Sequence, residues 1–331
     1  MNDFRENSNI GEAVLYADDS TEVVIDEDPE ILQNKLQAQA TSSTQWIRDN
    51  RMLCSGDKTK LLIVCTKEMR ESKIYSVGKQ FRVEVCGKVI EETSDEKLLG
   101  VVMSRNMTWN THLYGNKKTG KDRIQGLVPQ LSQRVGLIAQ LSKVMTNVQL
   151  KTTISGIFTS KLLYGIQLVS NVWGIHDMDD SSRRFISFTK EDCRKLQVLQ
   201  NKVLRIQTGT KDRNEPTKTL LEKAKQLSVH QLGAFHSVQL LFKVVTTKQP
   251  KYLADILSLR QPDDGRNVFA HRRLNTIQVT CNLSLSRSGF CFRSAKLWNL
   301  LPSEMKNERN LNKFKPQLMD WIKENIPYKP P

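Results

Sequence analysis

The chain has 331 residues, with 50 Lys+Arg against 35 Asp+Glu, a formal net charge of +15 and 38% apolar residues. That length corresponds to roughly two or three domains of about 100–200 residues each, and the apolar content is enough to bury real cores. The most apolar stretch, residues 154–172, is interrupted by Lys161, Gln167 and Asn171, which excludes a bilayer span and fits a buried helix.

The charge is unevenly spread. Residues 1–30 hold ten acids and one base, a net of −9, which leaves +24 on the rest. An acidic head on a strongly basic body suits a polyanionic partner, because each neutralised phosphate releases counterions. The amino terminus is acidic and polar and does not read as a signal peptide, so the expected location is nuclear or cytoplasmic. The cysteines at 54, 65, 86, 193, 281 and 291 form no CxxC pairs and read as free thiols rather than a disulfide framework. His271, Cys281 and Cys291 share a region, but their intervals match no zinc pattern.

In chain order, residues 12–25 climb through apolar residues to Asp18 and Asp19 and leave through β-formers. This reads as strand, tight turn, strand, with two adjacent carboxylates on the turn. Asp28-Pro29-Glu30 is a helix start. Ile31, Leu32, Leu36, Ala40 and Ile47 supply one buried face with Trp46 beside them, and Asn50-Arg51 ends the helix. Residues 60–65 read as a short buried strand. Residues 81–91 form a second hairpin turning at Cys86-Gly87, and residues 98–103 form a further strand.

From Trp109 the pattern turns helical. Leu127, Leu131, Val135, Ile138, Leu141 and Met145 trace one face, and residues 147–173 a second, more apolar helix. Thr189 to Asp192 resembles a capping box ahead of Leu196, Leu199, Val203 and Ile206. Another helix opens at Ser228. Residues 258–288 are Arg-rich without helical period and read as extended or loop. Residues 293–325 read as two short helices separated by Leu301-Pro302.

Several stretches, in order, resemble one family. Tyr16-Ala17-Asp18-Asp19, then Trp46 and Asn50, then residues 57–62 (DKTKLL) look like the second half of a reverse-transcriptase palm, nearest to the non-LTR (LINE-type) retrotransposon polymerases. Residues 97–101 (KLLGV) and 107–112 (MTWNTH) resemble the strand and Trp-to-His stretch that follow there. Leu163-Tyr164-Gly165 with Trp173, residues 196–205, and residues 297–302 (LWNLLP) with Phe314-Lys315 are similar to its downstream helical region.

The resemblance implies an α+β chain. It would have a partial palm over residues 1–106, built from two β-hairpins, a helix and short strands. A helical thumb-like region would follow over 107–210, then a helical carboxy-terminal region over 211–331 that includes the Arg-rich stretch. It also implies an RNA-directed DNA polymerase working on an RNA template and DNA primer, or on an RNA–DNA hybrid, through two Mg2+ ions. Such ions stabilise the attacking 3′-oxygen and the leaving pyrophosphate. Asp18 and Asp19 match the metal-binding pair, and Lys58 the lysine that neutralises pyrophosphate. Leu99 and Gly100 would belong to the primer grip. In the thumb, Lys117, Lys118, Lys121, Arg123, Arg134 and Lys143 would track phosphates, in a stretch from 113 to 176 that holds eight bases and one acid. The family's further catalytic aspartate, its fingers and its nucleotide-seating motif have no match among the fifteen residues before Tyr16. The expectation is a chain that starts mid-palm, binds Mg2+ weakly or not at all and is inactive alone, with the hairpin's apolar face uncovered; the alternatives are a non-catalytic RNA or RNA–DNA hybrid binding protein, or a transposon relic without function.

Overall fold

The computed structural model describes residues 4, 10–65, 69–70, 80–116, 123–171, 188–257, 277 and 289–330. They contain both helices and strands, an α+β composition, and the chain divides into two compact units, Met1–Thr108 and Trp109–Pro331.

Unit 1 opens with β1 (Glu12–Tyr16) and β2 (Asp19–Val23), an antiparallel two-stranded sheet. Then comes α1 (Pro29–Asp49), which starts as its sequence dictates. The Asp28 carboxylate accepts from the backbone N–H of Glu30 at 2.7 Å and of Ile31 at 3.1 Å, with proline in the first turn. Its buried face differs from expectation: Gln39, Ala40, Ser43, Thr44 and Trp46 are buried, while Ile31 is exposed. The edge of Trp46 packs against the ring of Phe4, the centroids 4.9 Å apart.

Next are β3 (Leu61–Leu62), β4 (Arg82–Val85) and β5 (Lys88–Thr93), a sheet ordered β3-β5-β4. β5 runs antiparallel to β4 and parallel to β3. Cys86 and Gly87, at φ +53° and +78°, form the two-residue turn between β4 and β5. β4 is an edge strand whose outward backbone groups need partners. Gln33 and Gln37, one helical turn apart on α1, supply them. The Gln37 amide oxygen accepts from Glu84 N–H at 2.9 Å and its NH2 donates to Glu84 C=O at 3.2 Å. Gln33 bonds Arg82 N–H and C=O in the same way. Two glutamines thus act as a surrogate strand.

The strand expected over residues 98–103 is instead a hairpin. β6 (Asp95–Leu98) pairs antiparallel with β7 (Val101–Ser104), and Leu99 and Gly100 turn between them at φ +47° and +86°. Two positive φ values in succession match the primed turn that twisted hairpins favour.

The expectation of free thiols throughout is also overturned, because Cys54 and Cys86 are joined by a disulfide, their Cα atoms 6.4 Å apart. The hairpin turn brings Cys86 beside a segment 32 residues earlier, a proximity that spacing in sequence does not reveal. Cys65 and Cys193 are unbridged.

Unit 2 contains α2 (Asn110–Tyr114), α3 (Leu127–Leu141) and a helical run from Asn147. That run comprises α4 (Asn147–Thr153), a wide π turn (Ile154–Thr159) and α5 (Ser160–Leu163). It does not continue to residue 173 as expected. Gly165, at φ +71°, breaks it, and α6 (Ile166–Val169) follows; Trp173 lies outside the described residues. α7 (Lys190–Thr208) begins with a capping box in which Thr189 and Asp192 bond each other's backbone N–H, and it ends at Gly209 in the left-handed region.

α8 (Thr217–Ala224) leads to α9 (Val229–Thr247), capped by Ser228 and Gln231, then to α10 (Lys251–Ile256). The predicted irregular stretch 258–288 lies outside the described residues apart from Ile277. The final segment holds three helices rather than two: α11 (Phe290–Leu300), α12 (Ser303–Asn307) and α13 (Leu311–Asn325). Pro302 and the capping Asn310 each start a new helix, so the segment breaks twice.

Two apolar cores organise this unit. Leu113, Leu131, Ile138, Phe158, Leu162 and Leu196 form one, among α2, α3, the 147–163 run and α7. Phe242, Leu297, Trp298, Phe314, Leu318 and Ile322 form the other, among α9, α11 and α13, with Phe242 and Phe314 stacked at 4.1 Å between centroids. α9 is buried on most of its circumference, as a central helix must be, and it serves both cores through Val229 and Phe242.

Candidate catalytic hairpin and nucleic-acid interface

The Tyr16 to Asp19 segment forms the hairpin predicted for it. Tyr16 pairs with Asp19, so Ala17 and Asp18 make the turn and Asp19 is the first residue of β2. This shifts the expectation that both carboxylates sit on the turn. Ala17 adopts φ +53°, the conformation that a tight hairpin imposes on its first turn residue. Directly paired residues share a sheet face, so Asp19 stands with Tyr16, Val14, Thr21, Glu12 and Val23. On that face Tyr16 is 66% and Val14 53% exposed. Asp18 and Asp19 are both exposed, and no residue of the hairpin is buried. Across the other face, the Ser43 hydroxyl of α1 donates to the Glu22 carboxylate at 2.6 Å.

Asp18 and Asp19 are hard oxygen donors and fit Mg2+ chemically. They are also a minimal set. Among the described residues no group of three or more His, Cys, Asp or Glu side chains converges as a metal cluster. With two carboxylates on neighbouring positions, the remaining coordination would fall to water or substrate phosphate.

Lys58 lies on a different device. Its backbone N–H donates to Ser55 C=O at 3.0 Å, closing a turn, and its side chain is exposed. Asp57 beside it pairs with Lys88 of β5, so that neighbouring acid is already matched and the Lys58 charge faces solvent. Leu99 and Gly100 form the tip of the β6–β7 hairpin, with Leu99 exposed. There a glycine is required by backbone conformation, whether or not a primer approaches.

In unit 2, Arg123 and Lys143 are exposed. Arg134 is not a solvent-facing cation: it is half-buried, and its guanidinium donates to the Ile157 carbonyl within the π turn. A π turn misaligns carbonyls that a regular helix would satisfy, so this arginine has a structural duty. Lys117, Lys118 and Lys121 lie outside the described residues. The described stretch 123–171 holds Arg123, Arg134, Lys143, Lys151 and Lys161 and not one acid.

Some arrangements carry no signal in sequence. The Tyr114 hydroxyl donates to the Asp192 carboxylate, and Lys195 lies 4.7 Å from the Tyr114 ring centre, which pins α2 to α7. Burial, followed by that carboxylate, pushes the phenol up. Arg293 is buried and donates to Leu168 C=O at 3.0 Å, anchoring α11 to the end of α6; burial lowers its pKa to about 10. Its charge is met by a carbonyl near the C-terminal end of α6. A shallow groove of about 460 Å3 runs between Ser142, Asn147 and the Arg205–Thr210 end of α7. Arg205 there donates to the carbonyls of Asp212, Arg213 and Glu215, which holds the following loop.

No described helix is long and apolar enough to cross a membrane. The chain matches no protein-family profile, no curated protein and no solved structure.

Proposed function

We propose that this chain is derived from an RNA-directed DNA polymerase of the non-LTR retrotransposon type, binding an RNA template with a DNA primer but inactive alone. The observation that supports it is the Tyr16-Ala17-Asp18-Asp19 hairpin: two adjacent carboxylates presented to solvent at a two-residue turn. Two-metal nucleotidyl transfer needs ligands that clamp both ions about 3.5–4 Å apart. Asp18 and Asp19 would contribute one side of that clamp. Mg2+, when bound, would polarise the phosphoryl group and stabilise the leaving pyrophosphate. Lys58 would supply a flexible cation for that pyrophosphate. A facing carboxylate would be needed to complete the set.

The acid-free stretch 123–171 supports the second half of the reading. Exposed Arg123, Lys143 and Lys151 would track phosphates on a hybrid duplex, positioning it without reading its sequence. The test is a filter-binding titration of an RNA–DNA hybrid at several salt concentrations. Binding is expected to weaken on the order of 100-fold between 50 and 200 mM salt, the loss expected for roughly four phosphate contacts. Absence of binding at low salt, or binding indifferent to salt, contradicts the reading.

A further inference from the structure

The geometry points to Cys54 and Cys86 as a reversible thiol–disulfide pair that clips the loop carrying Lys58 onto the β4–β5 turn. Three features converge on this place. The two cysteines are bridged, and both are half-buried, within reach of a small reagent. Asp57, three residues after Cys54, pairs with Lys88, two residues after Cys86. Between them the backbone at Gly56 lies so close to the residues flanking the β4–β5 turn that a Cβ there would stand 3.0 Å from the Lys88 Cβ and 3.3 Å from the Val85 carbonyl oxygen. The covalent link, the ion pair and the close approach all join the same two segments.

Reduction removes one tie and leaves an exposed ion pair, which alone contributes little. Lys58 and the segment around it then gain freedom. Oxidation restores the clip. A small-molecule disulfide such as oxidised glutathione is attacked by one cysteine thiolate, which forms a mixed disulfide and releases one thiol. The second cysteine thiolate displaces the other thiol and closes the Cys54–Cys86 bond. The protein loses two S–H protons and two electrons, and the glutathione disulfide becomes two thiols. Cys193 offers a contrast: it is buried in a core of unit 2, and burial pushes its thiol up to about 12, which makes it inert in this exchange. The pairing does not depend on the polymerase reading, and failure of one leaves the other standing.

The test uses the whole chain, treated with oxidised glutathione or with a reducing agent, then alkylated and mapped by mass spectrometry. Trypsin cleavage after Lys58 and Lys60 is timed in parallel. The oxidised chain is expected to lose alkylation at Cys54 and Cys86 together, to yield the crosslinked 54–86 peptide, and to be cut at these lysines about tenfold more slowly. Cys54→Ser and Cys86→Ser are each expected to erase the difference between the two treatments, whereas Cys65→Ser keeps it. Alkylation of both thiols after oxidation, a 54–65 crosslink, or an unchanged cleavage rate on bridging overturns the proposal. Reduced wild-type chain serves as the folding reference, so a misfolded serine variant is recognised by its loss of helical signal.

Discussion

Unit 1 and unit 2 solve the same problem with different means. The apolar clusters found among the described residues all lie in unit 2, where α9 is wrapped by α11 and α13 on one side and meets the α3–α7 core on the other. Among the described residues, unit 1 has three separate small sheets and a long helix whose buried face is mostly polar. It is held by specific local devices: glutamines bonding an edge strand, an Asp28 cap, a disulfide, and Trp46 against Phe4. Area burial dominates in the helical unit, while in the sheet unit a smaller buried set that includes Ile63, Phe81, Val83 and Ile90 is supplemented by hydrogen bonds and a covalent staple. Small units with limited cores commonly need such staples. The hairpin that bears Asp18 and Asp19 belongs to unit 1, and none of its residues is buried.

The comparison can be pressed hardest in the core of unit 2. Trp298 is 1% exposed and lies beside the stacked Phe242–Phe314 pair. Trp298→Ala is expected to cost about 3–5 kcal/mol, read as a lowered thermal midpoint of the helical circular-dichroism signal. A loss below about 1 kcal/mol would mean that this core is not the cooperative one.

Acid should also act through unit 2. His230 is buried, with Nδ1 2.9 Å from the Pro327 carbonyl oxygen, and burial lowers its pKa from 6.5 to about 4 despite that bond. Above pH 6.5 both folded and unfolded chains hold it neutral, and it contributes no pH dependence. As pH falls from 6.5 towards 4, the unfolded chain takes up a proton that the folded chain excludes. About 3 kcal/mol of stability is lost across that window. Denaturant titrations at stepped pH check this, and His230→Gln should flatten the slope by the share that His230 carries. His112, lowered to about 4 by burial and then by Lys161, and His236, lowered by burial and then by Lys315, add acid sensitivity of the same sign that remains in this variant.

A smaller change is expected at the edge of unit 1. Gln37→Ala leaves the Glu84 N–H and C=O without their side-chain partner at an exposed position, at a cost of about 1–2 kcal/mol. Faster amide hydrogen exchange at Glu84, with exchange in α9 unchanged, would sharpen the contrast between the units.

Much of the local structure was legible in sequence. Asp28-Pro29, Thr189 to Asp192 and Ser228 start helices because their side chains meet free backbone N–H groups within three residues. The YADD hairpin was legible for a similar reason, since its turn chemistry is local. What escaped depends on distance in sequence or on a single backbone angle. The Cys54–Cys86 bridge and the Arg293–Leu168 tie join residues 32 and 125 positions apart. Leu99-Gly100 looked like strand interior because Leu98 and Val101 flank it with apolar side chains, yet positive φ at both positions makes it a turn. The duty of Arg134 was hidden because its partner is a carbonyl freed by a π turn. The resemblance implied a phosphate-tracking role for it alongside Arg123 and Lys143, which are exposed.

The proposal under test is that Asp18 and Asp19 form one side of a two-metal polymerase centre and that the chain alone does not extend a primer. Primer extension on an RNA template with Mg2+, comparing the chain with its Asp18→Ala variant, tests that most directly. The account predicts hybrid binding by both proteins and no extended primer from either. Extended product made by the chain and lost in Asp18→Ala would contradict it.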